Sequence, residues 1–259
     1  MFRVVQVETT TFCNAHCQFC PHDRMKSFST MGEELYKKIV LDAAQYNITR
    51  FIPMLSGEPF MDPDIVERIE FARKVLKPAT EIRLFTNGSL VTEKHIDRLS
   101  MVRNFKLSFS LNGPTPAIRK DLMGLGDWDK VVQMIRYTRD KGILWQNTTV
   151  WMPYITANEL NGLAIVPLAG VTTFHNWCGD IYQYIRTRPT DCERMRDDMT
   201  IQVNGNAPVC CFDMFGQTSF GNAKTMTLKE IFDSPLKQEY LLAHSKQRGQ
   251  DMPRCHNCI

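Results

Sequence analysis

The sequence lacks the features that mark membrane, secreted and nucleic-acid-binding proteins. It has no run of about 18 apolar residues, so no membrane-spanning helix is predicted. Met1 leads directly into a strand-like segment, which predicts that there is no signal peptide. The net charge is only +3, and no basic patch alternates with aromatic residues, so neither nucleic acid nor a membrane is an expected partner. These absences predict a cytoplasmic protein.

Cysteine, by contrast, is abundant. Nine cysteines in a chain without an export signal favour metal binding over disulfides. Cys13, Cys17 and Cys20 have the spacing C-x3-C-x2-C, directly after the apolar segment 2–7. A loop of this length can turn three thiolates toward one point, which suits an iron–sulfur cluster with one iron left open. A C-x2-C pair also fits zinc, so a zinc-stabilised binding module without turnover is the alternative from another class.

Six strand-like segments recur along the chain, mostly with helical patterns between them. The predicted strands are 3–9, 50–55, 81–87, 105–112, 147–154 and 171–177. The predicted helices are 33–46, 64–76, one that starts at Thr92, one from Asp127 to Gly142, and a short one near 159–168. This alternation predicts an α/β fold with parallel strands and right-handed crossovers. Six units are too few for an eight-unit barrel, but they suit an open, partial barrel with ligands at the C-terminal ends of the strands.

The segment from Cys13 to Cys20 resembles the cluster loop of the radical S-adenosylmethionine superfamily, including the aromatic Phe19 before the last cysteine. The resemblance implies a partial (βα)6 barrel and a [4Fe–4S] cluster on Cys13, Cys17 and Cys20. It also implies that S-adenosylmethionine chelates the open iron and is cleaved to a 5′-deoxyadenosyl radical, which abstracts a hydrogen atom from the substrate. In such enzymes the cofactors supply the chemistry. The protein binds the cofactors and the substrate, orients them and excludes competing reactions.

Three further segments resemble parts of that family that lie beside S-adenosylmethionine, and each follows a predicted strand. Segment 56–59 is similar to a Gly-Gly-Glu-Pro motif, whose carboxylate suits the amino group of the cofactor. Segment 86–88 is similar to a turn beside the cofactor, and 108–113 resembles a Ser-x-Asp-Gly segment. An arginine shortly afterwards matches a position that meets the cofactor carboxylate. The predicted cofactor contacts are Phe19, Ser56, Gly57, Glu58, Pro59, Thr86, Asn87, Ser110, Asn112 and Arg119.

Beyond Arg186 the strand–helix rhythm stops and a second cysteine set begins. Segments 199–203 and 207–210 flank an Asn-Gly pair, which predicts a β-hairpin, and a helix is predicted over 228–244. The spacing C-x12-G-x4-C followed by a late C-x2-C resembles the one-cluster version of the SPASM domain, called a twitch domain. The resemblance implies a second, auxiliary [4Fe–4S] cluster. Its implied ligands are Cys192, Cys210, Cys255 and Cys258. We therefore predict a barrel domain over 1–185 and a twitch domain over 186–259.

In length and cysteine order the chain resembles the aminocyclitol-oxidising members of that superfamily. This implies a small polar substrate, such as a sugar or an aminocyclitol, whose alcohol is oxidised to a ketone while the auxiliary cluster accepts an electron. It also implies a flavodoxin or ferredoxin as electron donor. Two alternatives stay open: a radical epimerase in which the free thiol of Cys178 or Cys211 donates a hydrogen atom, and a ribosomal-peptide modifying enzyme. Cys178 and His175, at the end of the sixth predicted strand, are the candidate catalytic residues.

Overall fold

A computed structural model describes residues 1–113, 115–149, 168–170, 177–180, 192–256 and 258. Within these ranges, seven strands form one sheet in which every pairing is parallel. The strands are β1 (Val4–Val7), β2 (Arg50–Ile52), β3 (Glu81–Thr86), β4 (Phe105–Ser110), β5 (Leu144–Thr149), β6 (Leu168–Gly170) and β7 (Asp198–Ile201). Their order across the sheet is β6-β5-β4-β3-β2-β1-β7. Strands β1 to β6 thus lie side by side in chain order, as the predicted α/β barrel requires.

Helices connect these strands and follow the sequence signals closely. The α-helices of the described residues are α1 (Glu33–Ala43), α2 (Ile65–Val75), α3 (Glu93–Ser100), α4 (Pro116–Met123), α5 (Trp128–Asp140), α6 (Glu193–Asp197), α7 (Leu228–Phe232) and α8 (Pro235–Ser245). The hydroxyl of Thr92 accepts a hydrogen bond from His95 N and caps α3, as predicted. Helix α5 ends just before Gly142, whose φ of 74° takes the chain into the left-handed region.

The fifth and sixth strands differ from the prediction. Strand β5 begins at Leu144, three residues early, because the turn at Gly142 leads straight into it. Strand β6 pairs with β5 just before the predicted segment 171–177, of which residues 171–176 lie outside the described residues. Residues 150–167 and 171–176 lie outside the described residues. They include His175 and nearly all of the predicted helix 159–168.

The predicted hairpin needs a correction in its pairing. Its first arm is β7, which joins the main sheet as a parallel neighbour of β1. The turn does form at the Asn-Gly pair, where Gly205 N donates to Gln202 O at 2.8 Å. The second arm then turns away, and Ala207 N donates to Gly221 O at 3.0 Å instead of to β7. Strand β7 pairs with the edge of β1 that β2 does not occupy, and so satisfies backbone groups that would otherwise lie unpaired at the edge of the sheet.

The C-terminal region and the sheet share one apolar core. Buried side chains of β7, α7 and the C-terminal cysteines pack in the same cluster as those of β1 to β4. The predicted helix 228–244 is two helices, because Ser234 caps a new helix with Pro235 in its first turn. No described helix has the length and apolarity needed to cross a bilayer. The boundary between residues 185 and 186 stays a prediction.

Candidate functional site

The cysteine loop follows β1 and lies against the C-terminal end of α4. His16 N donates to Met123 O at 2.9 Å, and Gln18 N donates to Leu122 O at 3.0 Å. A small apolar cluster, separate from the main core, lies at this contact. Its members are Ala15, Leu122, Met123 and Leu125, with Cys13, Cys17, Phe19 and Ile118 packed against them. Helix α4, which the sequence did not predict, is therefore the support on which the loop lies.

The three thiols of this loop are partly buried and lie close together. Burial raises the pKa of Cys17, and the charges of Cys20 and Cys13 raise it further. Burial likewise raises the pKa of Cys20 to about 12. Thiolates so placed repel one another, and a bound metal centre relieves that repulsion. Three neighbouring thiols on a supported loop fit a [4Fe–4S] cluster with one open iron, since each thiolate binds a separate iron.

Glu58 connects the ends of β2 and β3 to the cysteine loop. Its carboxylate is 3% exposed and accepts hydrogen bonds from Thr86 Oγ1 at 2.6 Å and Asn87 N at 2.8 Å. Burial raises its pKa to about 7. Glu58 N donates to Phe12 O at 2.8 Å, and Asn87 Nδ2 donates to Asn14 Oδ1 at 2.8 Å. Three predicted contact residues are thus brought together, and the carboxylate binds the protein's own loops.

Arg119 requires a correction. The sequence predicts that it meets the cofactor carboxylate, but its side chain is fully buried. Its guanidinium donates to Asn87 O at 2.8 Å, to Leu111 O at 3.0 Å and to Asp127 Oδ1 at 3.0 Å. A guanidinium enclosed in this way cannot reach a ligand. Arg119 is instead a positioning residue that fixes the ends of β3 and β4.

The other predicted contact residues lie at the same end of the sheet. Ser110 ends β4 and is partly buried, and Asn112 is 4% exposed with a φ of 56°. Pro59 opens a single 3-10 turn, 59–61, that begins directly after Glu58. No ligand contact is assigned to these side chains by geometry alone, so their cofactor roles stay predictions.

Glu8 is a site residue that the sequence reading missed. It follows β1, is 2% exposed, and accepts hydrogen bonds from Ser56 Oγ and, at 2.9 Å, from Val203 N. Burial raises its pKa. Glu8 therefore joins the start of the cysteine loop to segment 56–59 and to the turn after β7. The available signal was a carboxylate at the C-terminal end of an apolar strand, where ligand sites of such folds gather.

The second cysteine set lines a cavity of about 600 Å³, here called the cysteine cavity. Its five cysteines are Cys178, Cys192, Cys210, Cys255 and Cys258. Among the described residues, no three His, Cys, Asp or Glu side chains converge on a point that one ion could occupy. The four thiolates of a [4Fe–4S] cluster bind separate irons and so surround a larger group. The donor set and the room of the cysteine cavity fit such a cluster.

Cys178 is the fifth thiol of this set, which corrects the expectation that it faces the substrate. Its side chain is 2% exposed and hydrogen-bonds with those of Cys210 and Cys258. The sequence placed Cys178 at a strand end, but the structure places it in the tight turn 177–180. A turn residue takes its direction from local backbone angles, which the strand pattern does not specify.

Residues 177–180 connect the two cysteine sets. Trp177 Nε1 donates to Phe19 O at 2.9 Å in the cysteine loop, and Asp180 pairs with Arg254 beside Cys255. Trp177 and Cys178 have φ values of 52° and 56°, in the left-handed region that costs a non-glycine residue about 1–3 kcal/mol. Contacts at both ends of the turn hold it in this conformation.

Alternate side chains of β1, β2 and β3 line another cavity of about 380 Å³, here called the barrel cavity. Its wall includes Arg50, Arg194, Asp198 and Cys211. Arg194 Nη1 lies 3.4 Å from Cys211 Sγ. Burial raises the pKa of Asp198 to about 6 and that of Cys211 to about 12. The barrel cavity adjoins the cysteine cavity, because five residues line both. They are Val4, Arg50, Arg194, Asp198 and Phe212.

Residues 7–164 match the family model of the radical SAM superfamily, and this match covers more than half of the chain. The chain belongs to the radical SAM superfamily. Residues 192–259 match the SPASM model, an iron–sulfur cluster-binding domain. The predicted cofactors, S-adenosylmethionine and two iron–sulfur clusters, are therefore confirmed at the level of the family. The protein is a radical SAM enzyme with a SPASM domain.

Two curated relatives match part of this radical SAM chain. The AdoMet-dependent heme synthase of Nitratidesulfovibrio vulgaris is 28% identical over 156 residues, which are 57% of this chain and 40% of the relative. The S-adenosyl-L-methionine-dependent 2-deoxy-scyllo-inosamine dehydrogenase of Niallia circulans is 25% identical over 103 residues, 39% of this chain and 41% of the relative. The matched segments thus span about 40% of the length of either relative.

A solved structure shows the same fold over the whole chain. The crystal structure of BtrN in complex with AdoMet and 2-DOIA aligns with a TM-score of 0.76 at 16% identity, and it covers 100% of this chain and 93% of that chain. At this identity the likeness shows the fold alone. Together with the two family matches, it confirms the predicted partial radical SAM barrel followed by a SPASM domain.

Gly57 gives a direct test of how the cysteine loop is positioned. A Cβ at Gly57 would lie 2.4 Å from Thr10 O and 2.7 Å from Phe12 O, so alanine must push the cysteine loop away. We expect Gly57→Ala to lose most of the iron of the first site, measured as iron per chain after anaerobic reconstitution. Gly126→Ala is the matched control, because nothing lies within 4 Å of its added Cβ. Equal iron in the two variants would contradict the steric argument.

Proposed function

We propose that this enzyme oxidises an alcohol of a small polar substrate, such as a sugar or an aminocyclitol, to a carbonyl. The observation that carries the proposal is the contact between the two cavities, whose common wall includes Arg50, Arg194 and Asp198. A substrate in the barrel cavity would lie beside the cysteine cavity, so an electron left on it has an acceptor nearby. The similarity to a 2-deoxy-scyllo-inosamine dehydrogenase supports the same chemistry.

The proposed ligand sets follow the two cysteine groups. Cys13, Cys17 and Cys20 hold the first cluster, and the second is held by Cys192, Cys210, Cys255 and Cys258. When bound, the cofactors supply a 5′-deoxyadenosyl radical at the first site and an electron acceptor at the second. The domain boundary near residue 186, the cytoplasmic location and a flavodoxin or ferredoxin as electron donor are proposed with them.

Asp198 is proposed as the base that takes the hydroxyl proton. It is the one carboxylate among the described residues that line the barrel cavity. Its pKa of about 6 leaves it ionised at neutral pH, yet close enough to accept a proton readily. The carbinol carbon gives a hydrogen atom to the radical, the hydroxyl gives its proton to Asp198, and the remaining electron passes to the acceptor. Arg50 and Arg83 add charged groups to this wall, which suits a polar substrate.

The test uses anaerobically reconstituted enzyme with S-adenosylmethionine, a chemical reductant and candidate alcohols deuterated at the carbinol carbon. We expect one deuterium in 5′-deoxyadenosine and a product that lacks two hydrogens. Asp198→Asn should lower the oxidation rate by about 10²–10⁴-fold, the usual contribution of a general base. Asp197→Asn is the control, since Asp197 lines only the cysteine cavity. A product of unchanged mass would argue against oxidation.

Epimerisation is the second candidate, and the position of Cys211 favours it. Its thiol lines the barrel cavity, whereas Cys178 lies with the second cysteine set. A thiol there would give a hydrogen atom to the opposite face of a substrate radical. One electron from the external reductant and one solvent proton would then restore the thiol. If this reaction operates, we expect one solvent deuterium in the product, which Cys211→Ala abolishes and Cys178→Ala retains. Deuterium that survives in Cys211→Ala would exclude Cys211 as the donor.

A further inference from the structure

Lys237 is a buried cation that the site described above leaves unexplained. It lies on α8, is 2% exposed, and donates from Nζ to Met195 O at 2.7 Å. The rings of Phe220 and Phe232 lie 5.0 Å and 5.7 Å from the same nitrogen. Among the described residues, no carboxylate forms an ion pair with it. Lysine is almost never fully buried without a charged partner, so this ammonium needs a source of compensation.

Lys237 lies at the wall of the cysteine cavity, because Met195, whose carbonyl it binds, lines that cavity together with the second cysteine set. Burial lowers the pKa of Lys237 to about 8, and the charges that oppose this fall belong to Cys210 first, then to Asp198, Cys192 and Cys255. Three of these four are proposed ligands of the second cluster. Four thiolates give a bound [4Fe–4S] cluster a net negative charge, and a buried anion and a buried cation stabilise each other strongly at low dielectric.

We propose that Lys237 sets the reduction potential of the second cluster, and that its buried ammonium group raises this potential so that the cluster accepts the substrate's electron. Reduction adds a negative charge to the cluster, so a nearby positive charge favours the reduced form. Net charge and nearby polar groups are the means by which proteins adjust such potentials. The inference rests on the proposed function, which places a cluster among the C-terminal cysteines.

A purely structural role for Lys237 has to be separated from this one. Its bond to Met195 O satisfies a carbonyl of α6, the short helix that begins directly after Cys192. Three substitutions at Lys237 distinguish the structural role from the effect of the charge. Lys237→Gln keeps a hydrogen-bond donor without the charge, Lys237→Arg keeps the charge, and Lys237→Met keeps neither.

The experiment is a redox titration followed by electron paramagnetic resonance. The full chain carries the Cys13/Cys17/Cys20 triple alanine change, so that only the second cluster contributes a signal. We expect Lys237→Gln and Lys237→Met to move the midpoint to more negative potential, while Lys237→Arg and the exposed Lys246→Met stay at the parent value. Iron should stay at about four per chain throughout.

Two results would overturn this inference and leave the proposed function standing. The first is a Gln variant that titrates like the parent while only the Met variant shifts, because that pattern follows the hydrogen bond and not the charge. The second is an unchanged midpoint in all three Lys237 variants. A different failure belongs to the proposed function: a parent protein that binds no iron and gives no signal would remove the second cluster itself, and this inference with it.

Discussion

Replacing Cys13, Cys17 and Cys20 together with alanine is expected to halve the iron of the reconstituted protein, from about eight irons per chain to about four. The three thiols lie on one loop, supported by α4 and separate from the cysteine cavity. Without them the first site has no cysteine ligands, and cleavage of S-adenosylmethionine should be lost completely. The second set is untouched by the change and should keep its cluster. Iron and sulfide analysis with Mössbauer spectra measures both effects.

Cys211→Ala is the control for this experiment, because Cys211 lines the barrel cavity and lies outside both proposed ligand sets. It should keep about eight irons. About four irons in the unaltered protein and none in the triple variant would contradict the prediction. That result would leave the C-terminal cysteines without a cluster, so the proposed electron acceptor would be lost and a redox-neutral reaction would become the better proposal.

Arg119→Met is expected to destabilise the protein by about 3–5 kcal/mol, the usual cost of removing one partner from a buried ion pair. The guanidinium is fully enclosed. Its loss removes the donor that binds the carbonyls of Asn87 and Leu111 and the carboxylate of Asp127. At this chain length the melting temperature should fall by about 10 °C. Circular dichroism of the reconstituted protein during thermal unfolding measures this. Since Asn87 also bonds the cysteine loop, S-adenosylmethionine binding should weaken in the same variant.

Arg136→Met is the matched control for Arg119. Arg136 lies on the exposed face of α5, and surface substitutions of this kind usually stay within about 0.5 kcal/mol. Arg119→Lys keeps the charge but not the planar set of donors, so we expect it to recover only part of the lost stability. Equal melting temperatures for Arg119→Met and Arg136→Met would show that the buried network contributes little.

The parts of the fold with strong local signals were predictable from the sequence. Helices α1, α2, α3 and α5 lie within their predicted segments, because apolar spacing and capping residues are local properties. Helix α4 was missed, although its cap Thr115 and Pro116 in its first turn are local signals of a helix start. The described strand β6 was not predicted, because strand position depends on the neighbouring strand as much as on composition.

The sequence by itself indicated the chemistry. Its two cysteine groups and its alternation of strands and helices resemble those of a radical SAM barrel with a SPASM domain, and the family matches confirm this. It could not determine which side chains face which space, because a side chain's direction depends on contacts with residues far away in the chain. Only the tertiary structure enclosed Arg119, turned Cys178 toward the second cysteine set and left Cys211 on the barrel cavity. It also placed β7 on the open edge of β1, so that the two cavities share a wall.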